Sequence, residues 1–253
     1  MKPSASVAER VIAVLWTLSE SKSSLSLQQV AQRCALAPST VHRMLRQLQN
    51  LGMVHQTPKR RYQAGSGLLA MGALAISRSP IIEAVRPLIN ETMQRLEMSC
   101  ILSLYMPSRL GRVVLLHTRA SGSSSLNFEQ FPQRDLVWGA TGRAILAYLN
   151  AAEIDNAIRY APPCPANGTK ADRAKILNDL STIRGEGYGA SHGEVAPRGQ
   201  AVAVPLFNGV QNVVGSLAVT QDNSRWNATT RKYLAGMLTR QSRRLPALLA
   251  LPA

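Results

Sequence analysis

The first 65 residues leave few folds open. Val7, Val11, Val14, Leu15 and Leu18 recur with helical period and give one buried face. The Ser-rich stretch Ser21 to Ser24 ends that helix. Ser26 followed by Gln29 is a capping-box pattern that starts a short helix through Cys34. Ala35 to Pro38 make a turn, and Pro38-Ser39-Thr40 opens a third helix with Val41, Met44, Leu45 and Leu48 on its apolar face. Asn50 and Gly52 are its stop signals. Met53 to Gln56 and Arg61 to Gln63 then read as two short strands around Thr57-Pro58-Lys59-Arg60, a hairpin with a basic tip. Helix, short helix, turn, helix and basic hairpin is the order of a winged helix-turn-helix, placed at 5–65.

Charge points the same way. The chain carries a formal charge of +15 over 253 residues, with a pI near 10.7, which implies a polyanionic partner, most often nucleic acid. An anionic membrane surface would want an amphipathic or lipidated anchor, and the sequence shows none. An apolar fraction of 45 % is enough for a packed core. Cys34, Cys100 and Cys164 are far apart and show no C-x-x-C spacing, so neither a disulfide framework nor a metal site is expected. The apolar run Val11 to Leu18 is short, follows Glu9 and Arg10, and has no cleavage site after it. With no bilayer-length apolar stretch either, the expected location is the cytoplasm.

In a helix-turn-helix the second helix of the motif enters the major groove by its N-terminal end. Ser39, Thr40, His42, Arg43, Arg46 and Gln47 lie on that helix, mostly away from its apolar stripe. Arg reads guanine edges or binds phosphate, and Gln can read adenine. Lys59, Arg60 and Arg61 on the hairpin would reach flanking backbone or minor groove, a positioning role more than a reading one.

Ser66 to Ser79, rich in Leu, Ala and Met, reads as a linker helix (66–79), and Pro80 opens a second domain at 80–253. There, Ile81 to Glu97 reads as a helix, and Cys100 to Met106 and Arg112 to Thr118 as strands. A Gly/Ser-rich loop, Ser121 to Ser125, leads to Leu126 to Phe128. Gly139 to Arg143 introduces a helix to about Leu149; two more follow near Ala152 to Tyr160 and Ala171 to Arg184. Ala201 to Phe207 and Val213 to Thr220 are β-branched strands, and Asn227 to Leu249 closes the chain as a helix. The whole is α+β, a sheet with helices to cover it.

Several of these stretches resemble the IclR-type regulators. Ser6-Val7-Ala8-Glu9-Arg10, Ser26 to Ala31, Leu36 to Leu45 and Tyr62-Gln63-Ala64-Gly65 carry the likeness at the N-terminus. It continues through Arg86-Pro87-Leu88, Ala140 to Ala147, Ile183 to Tyr188 with Gly193-Glu194, and Ala203 to Phe207. The resemblance implies a GAF-like C-terminal domain that binds a small effector, often an organic or aromatic acid, and a homodimer or homotetramer on double-stranded operator DNA, with repressor or activator action. Pairing also follows from physics, because one recognition helix reads few base pairs.

Carried over by resemblance, the effector pocket is lined by Ala140 and Thr141 ahead of their helix, the loop from Ser191 to Gln200, Ala201, Ala218 and Thr220. Trp138 stands either as a flat apolar wall or as core. Ser191-His192 replaces an acidic residue common before the Gly-Glu pair, and a Cys common near Ala201 is absent. A less acidic pocket should therefore accept an aromatic or small organic carboxylate through Thr141, Ser191, Thr220 and His192. No H-E-x-x-H, G-x-S-x-G or Cys/His cluster marks an enzyme, and no cofactor is expected. The rivals are a DNA-tethered enzyme such as an acyltransferase, betrayed by ligand turnover, and an architectural DNA protein with weak sequence preference.

Overall fold

The computed structural model describes residues 6–96, 98–117, 133–208, 211–222 and 226–243. Its contacts divide the chain into two compact units, Met1–Arg78 and Ser79–Ala253. The expected loop at 121–125, the strand at 126–128 and the closing helix beyond residue 243 lie outside the described residues.

The first unit opens with α1 (Val7–Glu20), α2 (Leu27–Cys34) and α3 (Pro38–Asn50). Both α1 and α2 begin with a reciprocal capping box. Ser6 pairs with Glu9 and Ser26 with Gln29, so each side chain satisfies a backbone N–H that the first turn leaves open. Pro38 occupies the first turn of α3, where its missing N–H costs nothing. Val14, Leu18, Val30, Val41, Leu45 and Leu48 meet in one core with Leu25, Val54 and Tyr62. The antiparallel pair β1 (Val54–Gln56) and β2 (Tyr62–Ala64) follows, and Leu25 bridges to Tyr62 on its outer side. The helix α4 (Ser66–Ser77) comes next and buries none of its residues.

The second unit holds α5 (Pro80–Leu96), β3 (Ser99–Met106), β4 (Gly111–His117), β5 (Gln133–Arg134), α6 (Gly139–Leu146), α7 (Ala151–Arg159), α8 (Arg173–Glu186), β6 (Gly189–His192), β7 (Gly199–Phe207), β8 (Val213–Asp222) and α9 (Ala228–Ser242). The strands form one antiparallel sheet in the order β5-β4-β3-β8-β7-β6.

Side chains alternate across this sheet, as a pleated strand requires. Cys100, Leu102, Val202, Val204, Leu217 and Val219 form one core with Ile81, Val85, Leu234 and Leu238 of α5 and α9. The intervening residues Ile101, Ala203 and Ala218 meet Ala140 and Ala144 of α6. Four alanines at that contact let α6 lie close to the sheet. The other side of α6 packs Ile145 and Leu146 against α7 and α8.

Two expectations need correcting. Ser191 and His192 do not begin a loop: they end β6, a short edge strand, and Gly199 and Gln200 already belong to β7. The helix expected to reach Leu149 stops at Leu146. Tyr148 N–H and Leu149 N–H bond three residues back, to Ile145 and Leu146, tightening the chain before Asn150 caps α7.

Gly65 shows how closely the first unit is built where α4 begins. A Cβ there would collide with the Gly52 carbonyl oxygen and with backbone atoms of Met53 and Val54. We therefore expect Gly65→Ala to destabilise the first unit by roughly 1–3 kcal/mol, an overpacking effect. Thermal unfolding followed by circular dichroism checks it, and an unchanged midpoint would contradict the close approach.

Candidate functional site

The first candidate surface is the outer face of α3 together with the β1–β2 hairpin. Burying Val41, Met44, Leu45 and Leu48 turns Ser39, His42, Arg43, Arg46 and Gln47 outward, all exposed, while Thr40 is half-buried. Residues 1–78 contain ten Lys and Arg against two carboxylates, Glu9 and Glu20, and neither lies on α3 or the hairpin. An open groove of about 520 Å³ runs between the two, walled by His42, Arg46 and Gln49 of α3 and by Gln56, Arg60 and Tyr62 of the hairpin. Gln56 and Tyr62 were not legible as site residues because short strands carry no groove signal, and Gln49 because it lies near the C-terminal end of α3, away from the end expected to enter a groove.

At the hairpin tip, Arg60 N–H donates to the Thr57 carbonyl, and Thr57 N–H to that of Arg61. Pro58 supplies the fixed φ of such a turn, and Arg60 sits in the left-handed region at φ 54°. A non-glycine residue there costs on the order of 1 kcal/mol, so the turn holds a strained cation at its exposed end. Lys59 is likewise exposed. Arg61 is turned the other way: its Nε donates to the Ser24 carbonyl at 2.9 Å and its Nη2 to Gln29 Oε1 at 3.2 Å.

The second candidate is a narrow cleft of about 30 Å³ at the N-terminal end of α6. Its floor is one register row across three strands, since Ser191 pairs with Ala201 and Ala201 with Thr220. Ala140 and Thr141 line it from α6, and Val195 and Ala196 from the β6–β7 connection. Of the eight residues expected here, Ala140, Thr141, Ser191, Ala201 and Thr220 line the cleft.

Trp138, His192 and Ala218 do not. Trp138 is buried in the core beside α7 and α8, with its indole N–H on the Pro162 carbonyl at 2.7 Å. His192 alternates to the exposed side of β6. Ala218 is sealed under α6. The sequence reading missed Ile101 and Arg112, which also line the cleft. Arg112 is only 3 % exposed and donates to Ser103 Oγ at 3.1 Å.

The polar side chains lining the cleft are Arg112, Thr141, Ser191, Gln200 and Thr220, and among the described residues no carboxylate lines it. Ser191 Oγ accepts the Ala140 N–H at 2.9 Å, which leaves its own proton to give. Thr141 is a buried residue of the cleft wall, 6 % exposed. The Thr220 hydroxyl is engaged, donating to the Gln200 carbonyl at 2.7 Å.

Beside the cleft lies a buried ion network. The Arg143 guanidinium donates to the Val137 carbonyl and reaches Asp179 at 3.0 Å and Glu194 at 2.9 Å. The second Glu194 oxygen accepts the Gly139 N–H at 2.9 Å, so this carboxylate also sits on the first turn of α6. The Cys164 thiol donates to the Glu194 carbonyl, and burial pushes the Cys100 thiol up to about 12. Among the described residues no group of three His, Cys, Asp or Glu could hold a metal ion. Nor is any single helix there long and apolar enough to cross a membrane.

Comparison with known proteins bears on both surfaces. Residues 7–58 match the IclR helix-turn-helix domain, and residues 73–246 match the family described as bacterial transcriptional regulator IclR C-terminal. The chain is 23 % identical over 216 residues to the HTH-type transcriptional regulator KipR of Bacillus subtilis, covering 84 % of this chain and 85 % of that one. It is 24 % identical over 222 residues to XynR of Escherichia coli, covering 86 % of each. The crystal structure of an IclR transcriptional regulator from Alicyclobacillus acidocaldarius superposes with a TM-score of 0.79 at 22 % identity, over 96 % of this chain and 99 % of that one. An IclR homologue from Microbacterium hydrocarbonoxydans, complexed with 4-hydroxybenzoate, gives 0.72 at 19 %, with 96 % and 99 % covered.

Removing Arg143 would leave two carboxylates facing each other with no cation between them. We expect Arg143→Met to cost about 3 kcal/mol, and Glu194→Gln to cost less, because its amide oxygen still accepts the Gly139 N–H. Chemical denaturation of the two variants ranks them, and equal stability would contradict the central place given to Arg143.

Proposed function

The chain belongs to the IclR family of bacterial transcriptional regulators, and from that premise we propose that it is a ligand-responsive operator-binding dimer sensing a small organic acid. Family membership brings a helix-turn-helix domain for DNA and a C-terminal domain for a small-molecule effector, in a family of regulators and not of enzymes.

The exposed face of α3 is the part we place in the major groove, with Arg43, Arg46 and Gln47 at base edges and Ser39, Thr40 and His42 near the groove wall or phosphates. The strained Arg60 and its neighbour Lys59 supply backbone contacts beside it. Lack of acidic residues on either element supports this, since a carboxylate there would repel the duplex.

The effector reading is carried by a cleft that joins the Arg112 guanidinium and two hydroxyls to apolar side chains, with no carboxylate among its described residues. The Thr141 and Ser191 hydroxyls and the Arg112 guanidinium favour an anionic or acceptor-bearing ligand, and Ile101, Val195 and Ala196 favour an apolar body. A small aromatic or organic carboxylate has both. The similar protein crystallised with 4-hydroxybenzoate supports that class. Regulation is then linkage: a ligand that prefers one arrangement of the dimer changes operator affinity, and operator binding changes ligand affinity by the same factor.

The dimer is argued from α4. Its twelve residues contain no charge and none is buried, with Leu69, Met71, Leu74 and Ile76 all exposed. A helix apolar on every side needs a cover, and a second copy of the same helix provides one. A Leu69→Glu/Leu74→Glu variant should sediment as a monomer at concentrations where the parent sediments as a dimer. Identical sedimentation would remove α4 from the interface.

The function itself is tested by mobility shift on a duplex that the protein selects from a random-sequence library, with and without a panel of aromatic and aliphatic carboxylates. Arg43→Ala and Arg46→Ala should each weaken binding by roughly 1–3 kcal/mol. One class of acid should shift operator affinity, and Thr141→Val should weaken that acid about tenfold, as expected for one lost hydrogen bond to a charged group. Unchanged affinity in both arginine variants would refute the assigned face, and indifference to every acid would refute the effector class.

A further inference from the structure

We propose that Arg61 is a positioning residue: it fastens the β1–β2 hairpin to the start of α2 and makes no phosphate contact. The inference rests on the DNA-binding reading of that hairpin.

In sequence Arg61 is the third member of a basic run, indistinguishable from Lys59 and Arg60. In the fold it is separated from them. Lys59 and Arg60 are exposed, whereas Arg61 is half-buried against the segment that precedes α2. Its Nε donates to the Ser24 carbonyl at 2.9 Å and lies 3.2 Å from Ser24 Oγ, and Nη2 donates to the same carbonyl. A guanidinium grips a phosphate best through two parallel N–H groups. The Nε/Nη2 edge is the one that Ser24 occupies, and Nη2, which the other edge would need, also holds Gln29 Oε1 at 3.2 Å.

The acceptors are structural as well. Gln29 Oε1 already accepts the Ser26 N–H at 2.9 Å as half of the capping box of α2. Between them Leu25 and Tyr62 exchange backbone bonds, Leu25 N–H to Tyr62 oxygen at 2.8 Å and Tyr62 N–H to Leu25 oxygen at 2.7 Å. Arg61 therefore clamps the outer edge of a three-strand arrangement whose free end carries Lys59 and Arg60. Its contribution to DNA binding comes from where those two cations are held. Lysine at this position keeps the charge but loses the planar fork.

The test is the salt dependence of binding to a duplex selected by the unmodified protein from a random-sequence library. Arg61→Gln and Arg61→Lys should each weaken binding about tenfold, a coupling of ordinary size for residues that share a network. Both should speed hydrogen exchange at the Leu25 and Tyr62 amides. In a Lys59→Gln/Arg60→Gln background, adding Arg61→Gln should change neither the affinity nor the slope of log K against log salt. A further loss of about one slope unit in that background is the mark of a phosphate ligand and would overturn the proposal, as would full recovery of affinity by Arg61→Lys. If the unmodified protein selects no duplex at all, the DNA-binding reading fails first, a result distinct from either of these.

Discussion

The alternation of large and small side chains across β3, β7 and β8 governs the second unit. One face presents Leu, Val and Cys to α5 and α9, and helices there stand off at the distance those side chains impose. The other presents Ala203 and Ala218, and α6 answers with Ala140 and Ala144. A helix seated on alanine comes closer than one seated on leucine, because interiors pack to a fixed density and leave no gap. Gly142 tightens the seat further: a Cβ there would strike the backbone of Leu136. The same closeness brings the first turn of α6 level with the register row Ser191, Ala201 and Thr220, and the cleft is what remains between them.

Arg143 extends this logic sideways. With an exposure of 4 % it is a buried cation, and it is tolerated because a carbonyl and two carboxylates surround it. Glu194 belongs to that network and to the helix terminus at once, so the β6–β7 connection is tied to α6 by a side chain. The backbone of Glu194 is held too, its carbonyl accepting from Ala166 N–H and from the Cys164 thiol.

Local signals were legible in the sequence, and relations between distant residues were less so. The capping boxes at Ser26 and the apolar stripe of α3 are short-range patterns that one helix must satisfy by itself, and both stand in the structure as expected. The edge strand β6 was missed because Gly189-Ala190-Ser191-His192 offers no apolar alternation; its pairing to β7 is what makes it a strand. Arg112 escaped notice for a related reason. A lone arginine among valines reads as the exposed side of a strand, and only packing shows it walled in at the cleft. Trp138 was open to two readings, and its indole N–H decided for the core by finding the Pro162 carbonyl. Arg61 is the sharpest case, since composition sets it with its neighbours while its hydrogen bonds tie it to Ser24 and Gln29.

The start of α4 has a mechanical meaning. Gly65 N–H donates to the Met53 carbonyl and Gly67 N–H to that of Gly52, in the turn that closes α3 and opens β1. With no side chain at Gly65 to hold the strands apart, backbone lies directly against backbone. Such a joint has no slack to absorb a twist. Backbone thus joins the first turn of α4 to the end of α3, the helix that carries Arg43 and Arg46, with no side chain between them.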